Sequence, residues 1–305
     1  MTTQTLGKTA AGLQGFLREF RGGISCTRWE EVALLQGMPL LGSLFAMGQP
    51  SLARLESAAI LAAGSTLITA HVFVLNDWSG LDYDKSDPNR NREVFTARGI
   101  APRAMAFLAA ILLLAGLWVI SRFGLPSLAL ALGIAAASAL YSSPASHGKG
   151  IPVVSSLLHF CGGLLQFLLG YSVFARPGWR GVGIGIYFAL VFMGGHLTHE
   201  TRDSESDGNS RIRTNAVAFG KRRCFLAGLF LFACADGALA VLIAAGAVPR
   251  LLAPLLLLFP LHAYWSIRAM RADLNFVSVQ RLQWQYRGLY AVKGLWMAAV
   301  LLFLS

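Results

Sequence analysis

Nine of the chain's 15 acidic residues fall in two short stretches: Asp77, Asp82, Asp84, Asp87 and Glu93 in one, and Glu200, Asp203, Glu205 and Asp207 in the other. Clustered carboxylates repel one another and are costly without a counter-cation. Their internal spacing is alike. From Asp77, acids stand at +5 and +7; from Glu200, at +3, +5 and +7. On a helix, +7 returns to within about 20° of the start and +3 lies about 60° away. Glu200, Asp203 and Asp207 therefore share one face, as do Asp77 and Asp84 with Asp87 nearby, whereas Asp82 and Glu205 point elsewhere. Two helix ends offering carboxylates suit Mg²⁺, which prefers oxygen ligands and usually takes one or two carboxylates together with substrate phosphate. A solvated charged loop is the plain alternative. Against it, both clusters abut apolar segments, where a site is half buried.

Those apolar segments set the class of the protein. Hydrophobic residues make up 55% of the 305 residues and charged residues 13%, about half the usual charged share, and mean hydropathy is +0.56. Lipid must cover such a surface. Nine spans are expected, at 30–49, 54–75, 102–121, 124–141, 152–175, 181–198, 223–246, 250–267 and 287–304; the first is interrupted by Glu30, Glu31 and Pro39. Residues 1–29 form an N-terminal segment without an apolar leader run, and 30–305 one transmembrane domain. The net charge of +11 comes from bases that flank the spans, which favours a membrane over nucleic acid. Arg28, Arg92, Lys149, Arg202, Arg211, Arg213 and Arg287 belong to the richer side. Only Arg54, Arg122, Arg176, Arg180 and Arg250 lie opposite. The richer side, with the N-terminus and both acid clusters, is expected to be cytoplasmic, in a bacterial plasma membrane. Four cysteines without paired or CxxC spacing suggest neither a disulfide framework nor zinc.

At the acid clusters the sequence resembles the UbiA superfamily of intramembrane prenyltransferases. That family's first motif, NDxxDxxxD, is similar to Asn76-Asp77-Trp78-Ser79-Gly80-Leu81-Asp82-Tyr83-Asp84. Its second resembles Glu200-xx-Asp203-xxx-Asp207, followed by Thr214 and Phe219-Gly220. The loop from Tyr141 through Pro144 to Lys149 is similar to the family's Tyr…Lys loop, and Asp87 to Arg92 resembles the tail of its first motif. The family's middle aspartate falls on Gly80, its Arg-Pro pair on Arg92-Glu93, and the first acid of its second motif on Glu200.

The resemblance implies an all-α bundle of nine transmembrane helices around a central cavity. Asn76, Asp77, Asp84, Glu200, Asp203 and Asp207 would hold Mg²⁺. Asn76, Arg28, Arg92, Lys149 and His199 would contact the diphosphate, and Tyr141 would donate to the leaving group. The partners implied are a prenyl diphosphate, a lipophilic or aromatic acceptor and the bilayer. An allyl cation formed there needs a dry, aromatic-lined chamber, to which Phe73, Phe160, Phe167, Tyr171, Tyr187, Phe192 and Trp296 are candidates. A terpene cyclase acting without acceptor and a cation transporter with acid-lined gates are the alternatives. Asp236 is the acid deepest in a span. Its depth differs from that of Lys293 by about 12 Å on the helical rise, which argues against a direct pair.

Overall fold

The computed structural model describes residues 15, 18–86, 91–92, 94–143 and 148–304. Asp87, Glu93 and Pro144 lie outside them. The helices, numbered in chain order, are α1 (Trp29–Leu35), α2 (Gly37–Met47), α3 (Leu52–Ser79), α4 (Leu81–Ser86), α5 (Pro102–Ile120) and α6 (Leu125–Ser142). They continue with α7 (Val154–Tyr171), α8 (Trp179–Asn209), α9 (Asn215–Phe219), α10 (Lys221–Ala244), α11 (Phe259–Arg271) and α12 (Phe276–Ala299). A 3₁₀ segment, Arg250–Leu258, contains Pro254 and leads into α11.

Among the described residues, eight helices are long and apolar enough to cross a membrane. The first expected span is instead two short helices broken at Gln36. The break falls where Pro39, lacking an N–H, cannot donate to the Leu35 carbonyl, and Gln36 is held there by side-chain bonds. Gln36 Nε2 donates to Thr69 Oγ1 (3.3 Å), and Ser65 donates to Gln36 Oε1 (2.5 Å). Gln166 of α7 donates to the same Thr69 hydroxyl (3.1 Å), so this buried network ties α1–α2 to α3 and α7.

The helices pack as two linked groups. α3 lies along α5 and α6. α8 is the central strut, flanked by α7 and α10, and α2 crosses α7. Small residues allow the closest crossings, as expected where lipid supplies little hydrophobic drive between helices. A Cβ on Gly170 would stand 1.8 Å from the Pro39 carbonyl oxygen, and one on Gly42 2.1 Å from that of Phe167. Gly163 and Gly194 also sit at such crossings, but the neighbouring Gly162 and Gly195 line a cavity. The main core joins Leu41, Phe45, Phe167, Tyr171, Phe188 and Leu239 at the end of the bundle remote from the acids.

Two helices outrun their expected spans, and both extensions matter to the site. α8 continues 11 residues past 198 to Asn209, so the whole second acid cluster is helical. α12 begins at Phe276 rather than 287.

Candidate functional site

The acid clusters meet at one end of a cavity of about 1040 Å³ formed between the helices of the bundle. Glu200, Asp203 and Asp207 all line it from α8, as the one-face spacing requires. From the other side come Asn76, near the end of α3, and Asp84 of α4. The chain between these helices stays close to helical: Gly80 N–H donates to Asn76 O (2.9 Å) and Asp84 N–H to Gly80 O (3.0 Å). A Cβ on Gly80 would lie 3.8 Å from Asp84 Oδ2. Asp84 thus occupies the neighbourhood into which an acid at position 80 would reach. Asp82 and Glu205 are exposed and off the cavity wall, in line with their helical phase.

Cations are set among these acids. Arg28, just ahead of α1, pairs with Asp77 and lines the cavity; Asp77 itself stands behind it. Arg202 grips its neighbour Asp203 through both oxygens, Nε at 2.6 Å and Nη2 at 2.7 Å, while its Nη1 donates to Gln283 of α12 (2.8 Å). Lys149 reaches the cavity from a 3₁₀ turn, Gly148–Gly150. The turn is pressed onto the end of α6, since a Cβ on Gly148 would sit 2.3 Å from Leu140 O. Arg92 is exposed and does not line the cavity.

Glu200 differs from the other acids. It is 5% exposed, and its oxygens are taken up by protein donors. Oε1 accepts from Ser155 (3.2 Å) and lies 3.0 Å from His196 Nε2. Oε2 accepts from the Asn215 backbone (2.9 Å) and side-chain amide (2.8 Å). Four donors fill the lone pairs of a carboxylate, so Glu200 braces α8 against α7 and α9 rather than offering an open ligand position.

Sequence reasoning gave Glu31 and Arg287 no place in the site, although both line the cavity. Arg287 of α12 donates to both oxygens of Glu31 (3.1 and 3.3 Å) and to His199 Nε2 (3.1 Å). His199 therefore accepts at Nε2 and stands beside an arginine already engaged. Beginning the last span at 287 put Arg287 at its edge and hid this role. Below the acids, Tyr141, His159, His196 and Phe192 form a ring cluster on the cavity wall. The two imidazoles stack at 3.6 Å and 10°, with Tyr141 edge-on to His159 at 4.9 Å.

The remaining wall is largely apolar, with Leu41, Phe73, Val191, Phe192 and Met297 among its residues. Of the aromatics suggested for a chamber, Phe73, Tyr187 and Phe192 line it. Phe160 does not, Phe167 and Tyr171 belong to the core, and Trp296 is turned outward, donating to Leu251 O (2.9 Å). His71 is bonded to Ala109 O (2.8 Å) and is off the wall. Asp236 and Lys293 do pair, at 2.6 Å. The depth estimate failed because α12 starts 11 residues before 287, which lowers Lys293 by about 16 Å within its helix.

Among the described residues, no three His, Cys, Asp or Glu side chains are close enough to hold one ion between them. Asn76, Asp84, Asp203 and Asp207 instead present oxygens around a shared space. That suits a cation which keeps one or two protein ligands and completes its shell with phosphate and water.

A model of the UbiA prenyltransferase family matches residues 37–278. The fold is similar to that of a UbiA homolog from Archaeoglobus fulgidus bound to GPP and Mg²⁺, at 17% identity over 90% of this chain and 97% of that one, with a TM-score of 0.68. It is also similar to digeranylgeranylglyceryl phosphate synthase (15% identity, 94% and 100% covered, TM-score 0.71). A third likeness is to the apo structure of a UbiA homolog from Aeropyrum pernix K1 (16% identity, 89% and 97% covered, TM-score 0.68). At these identities the structural likeness is one of fold. A comparison with curated proteins returned no match.

Proposed function

This chain belongs to the UbiA prenyltransferase family, and on that premise we propose that it is a Mg²⁺-dependent intramembrane enzyme moving an isoprenyl group from a prenyl diphosphate to a lipophilic or aromatic acceptor. The observation that carries this reading is the polarity of its cavity. Asn76, Asp84, Asp203, Asp207, Arg28 and Lys149 crowd one end, and an apolar wall continues from them. A diphosphate fits the first part and a hydrocarbon chain the second. About 1040 Å³ is at the upper end of ordinary small-molecule sites, enough for a donor chain and an acceptor together.

Asn76, Asp77, Asp84, Asp203 and Asp207 are the proposed residues for Mg²⁺ and diphosphate; Glu200 serves as their brace. Mg²⁺ would supply charge neutralisation to the departing diphosphate. Lys149 adds a point charge at its oxygens, and Arg28 and Arg202 offer forks once diphosphate competes for them. Tyr141 lies beside this end and can donate to the leaving oxygen. As the C–O bond lengthens, positive charge grows on the allylic carbon. The faces of Tyr141 and Phe192 and the apolar wall, which offers water no hydrogen-bond partner, would preserve it for attack by the acceptor. The base-rich loops support a cytoplasmic location for the acid end.

A transporter reading has less support, because the acids on the wall cluster at one end and the mid-bundle acid, Asp236, is held by Lys293. The test is a product screen by mass spectrometry on the purified protein with Mg²⁺. Dimethylallyl, geranyl, farnesyl and geranylgeranyl diphosphates are crossed with phenolic, quinone-precursor, tetrapyrrole, carotenoid and glyceryl-phosphate acceptors. Mg²⁺-dependent diphosphate release with a prenylated acceptor is expected. A hydrocarbon or terpene alcohol formed without acceptor would reassign the protein as a cyclase. No diphosphate release from any donor would overturn the reading.

A further inference from the structure

Forming the new bond leaves a proton to be removed, and the acids at the cavity end are committed to metal and phosphate. A base must stand lower, near the hydrocarbon. The stacked imidazoles lie there: His196 is seven residues before Asp203 on α8, about 10 Å deeper along the helix, and His159 is stacked on it.

Hydrogen bonds fix the proton on His159. Its Nδ1 is 2.8 Å from the Ser155 carbonyl oxygen. A carbonyl can only accept, so Nδ1 carries the hydrogen and, in the neutral ring, Nε2 keeps its lone pair. No hydrogen bond to that Nε2 is made among the described residues, and the half-buried ring lines the cavity. The other candidates are spoken for or more deeply buried. His199 Nε2 receives Arg287. Glu200 is filled by four donors. His196 directs its Nε2 to Glu200, which in the neutral ring leaves the lone pair on Nδ1, but at 8% exposure it is more deeply buried than the half-buried His159.

We propose that His159 is the general base of the reaction. This rests on the prenyl-transfer reading above. The allylic C–O bond breaks with its electron pair leaving on diphosphate, and an electron pair of the acceptor forms the new bond to the allylic carbon. The acceptor's X–H pair then returns to X as the proton passes to His159 Nε2, making an imidazolium whose Nδ1–H still holds Ser155. In the cyclising variant of the chemistry, the same nitrogen takes a proton from the carbon next to the cation, leaving an alkene. Tyr141, edge-on to the ring, and stacked His196, itself beside the Glu200 carboxylate, hold the imidazole in place.

The experiment compares the full-length protein with His159→Phe and His159→Gln, using Mg²⁺ and the four prenyl diphosphates with the acceptors above. Diphosphate release, coupled or alkene product, and prenyl alcohol from water capture are measured in the same reactions. The expected result is a fall of about a hundredfold or more in coupled or alkene product per diphosphate released, the lower bound of a general base's usual contribution, with prenyl alcohol rising. Phe retains ring packing but has no basic nitrogen, and Gln covers the case in which Phe does not accumulate. A ratio equal to wild type in either variant, or a parallel loss of diphosphate release and product, would overturn the proposal. Failure of the wild-type protein to release diphosphate from any donor would instead overturn the reading beneath it.

Discussion

Lys293 Nζ donates to both oxygens of Asp236, at 2.6 and 2.9 Å, joining α12 to α10 in the middle of the bundle. The two are 1% and 7% exposed, and Tyr290 covers the ammonium at 4.8 Å. A buried pair of this kind adds little over apolar residues, but breaking it strands a charge at a cost of about 3–5 kcal/mol.

Asp236→Ala should therefore be strongly destabilising, and Lys293→Met on top of it should recover most of the loss. Thermal unfolding in detergent, read by loss of monodisperse protein, checks both. Equal stability of the single and double variants would show that the pair is not the source of the cost.

Asp84→Ala and Asp207→Ala should each lower turnover by about a hundredfold or more, since a metal-bridged leaving group is worth several kcal/mol. Asp82→Ala should stay near wild type, because Asp82 is exposed and off the cavity wall, where substitutions usually change little. Steady-state diphosphate release measures all three. Loss in Asp82→Ala with full activity in Asp84→Ala would exchange their roles.

Glu200 separates bracing from metal binding. Removing its carboxylate strands the Asn215 amide and the Ser155 and His196 donors in a buried place, at about 1–3 kcal/mol for each group left unpaired. Glu200→Ala should unfold at a clearly lower temperature. Glu200→Gln, which keeps one acceptor oxygen, should lie between. In Glu200→Gln the Mg²⁺ concentration for half-maximal activity should be unchanged, whereas Asp203→Asn should raise it. A Mg²⁺ titration of the two proteins decides the matter.

What could be read in the sequence divides by physical cause. Eight spans were legible from hydropathy, and the second acid cluster from its 3.6-residue phase, because α8 stays helical through Asn209. The start of α12 was not legible. Gln280, Arg281, Gln283 and Arg287 depress hydropathy over 276–287, although Gln283 and Arg287 serve the site by holding Arg202, Glu31 and His199. The residues that build function are the ones that disguise the helix carrying them. The hydrogen bonds of Glu200 were hidden for a related reason. Periodicity gives the face a carboxylate occupies but not the donors brought to it by α7 and α9, which are 45 and 15 residues away in the chain. His159 belongs to no motif or spacing, and the role proposed for it depends on a tautomer set by the Ser155 carbonyl and on the ring stacked on it, neither of which the sequence displays.

Gly170 tests the crossing that shapes one wall of the cavity. Its Cβ would stand 1.8 Å from Pro39 O, and Gly42 across the same contact is as tight against Phe167 O. A backbone oxygen has no rotamer by which to retreat, so Gly170→Ala must push α2 away from α7. The cost should be about 3 kcal/mol or more, at or beyond the usual range for overpacking. Because Met38 and Leu41 of α2 and Gln166 of α7 line the cavity, the same shift should alter which prenyl chain length is preferred. Gly237→Ala is the matched control: nothing lies within 4 Å of its Cβ position, and on an exposed helix face alanine should stabilise by about 0.5–1 kcal/mol. Detergent unfolding temperatures and donor preference across the four diphosphates are the readouts. An unfolding temperature for Gly170→Ala as high as that of Gly237→Ala would mean that α2 and α7 are not held at this distance.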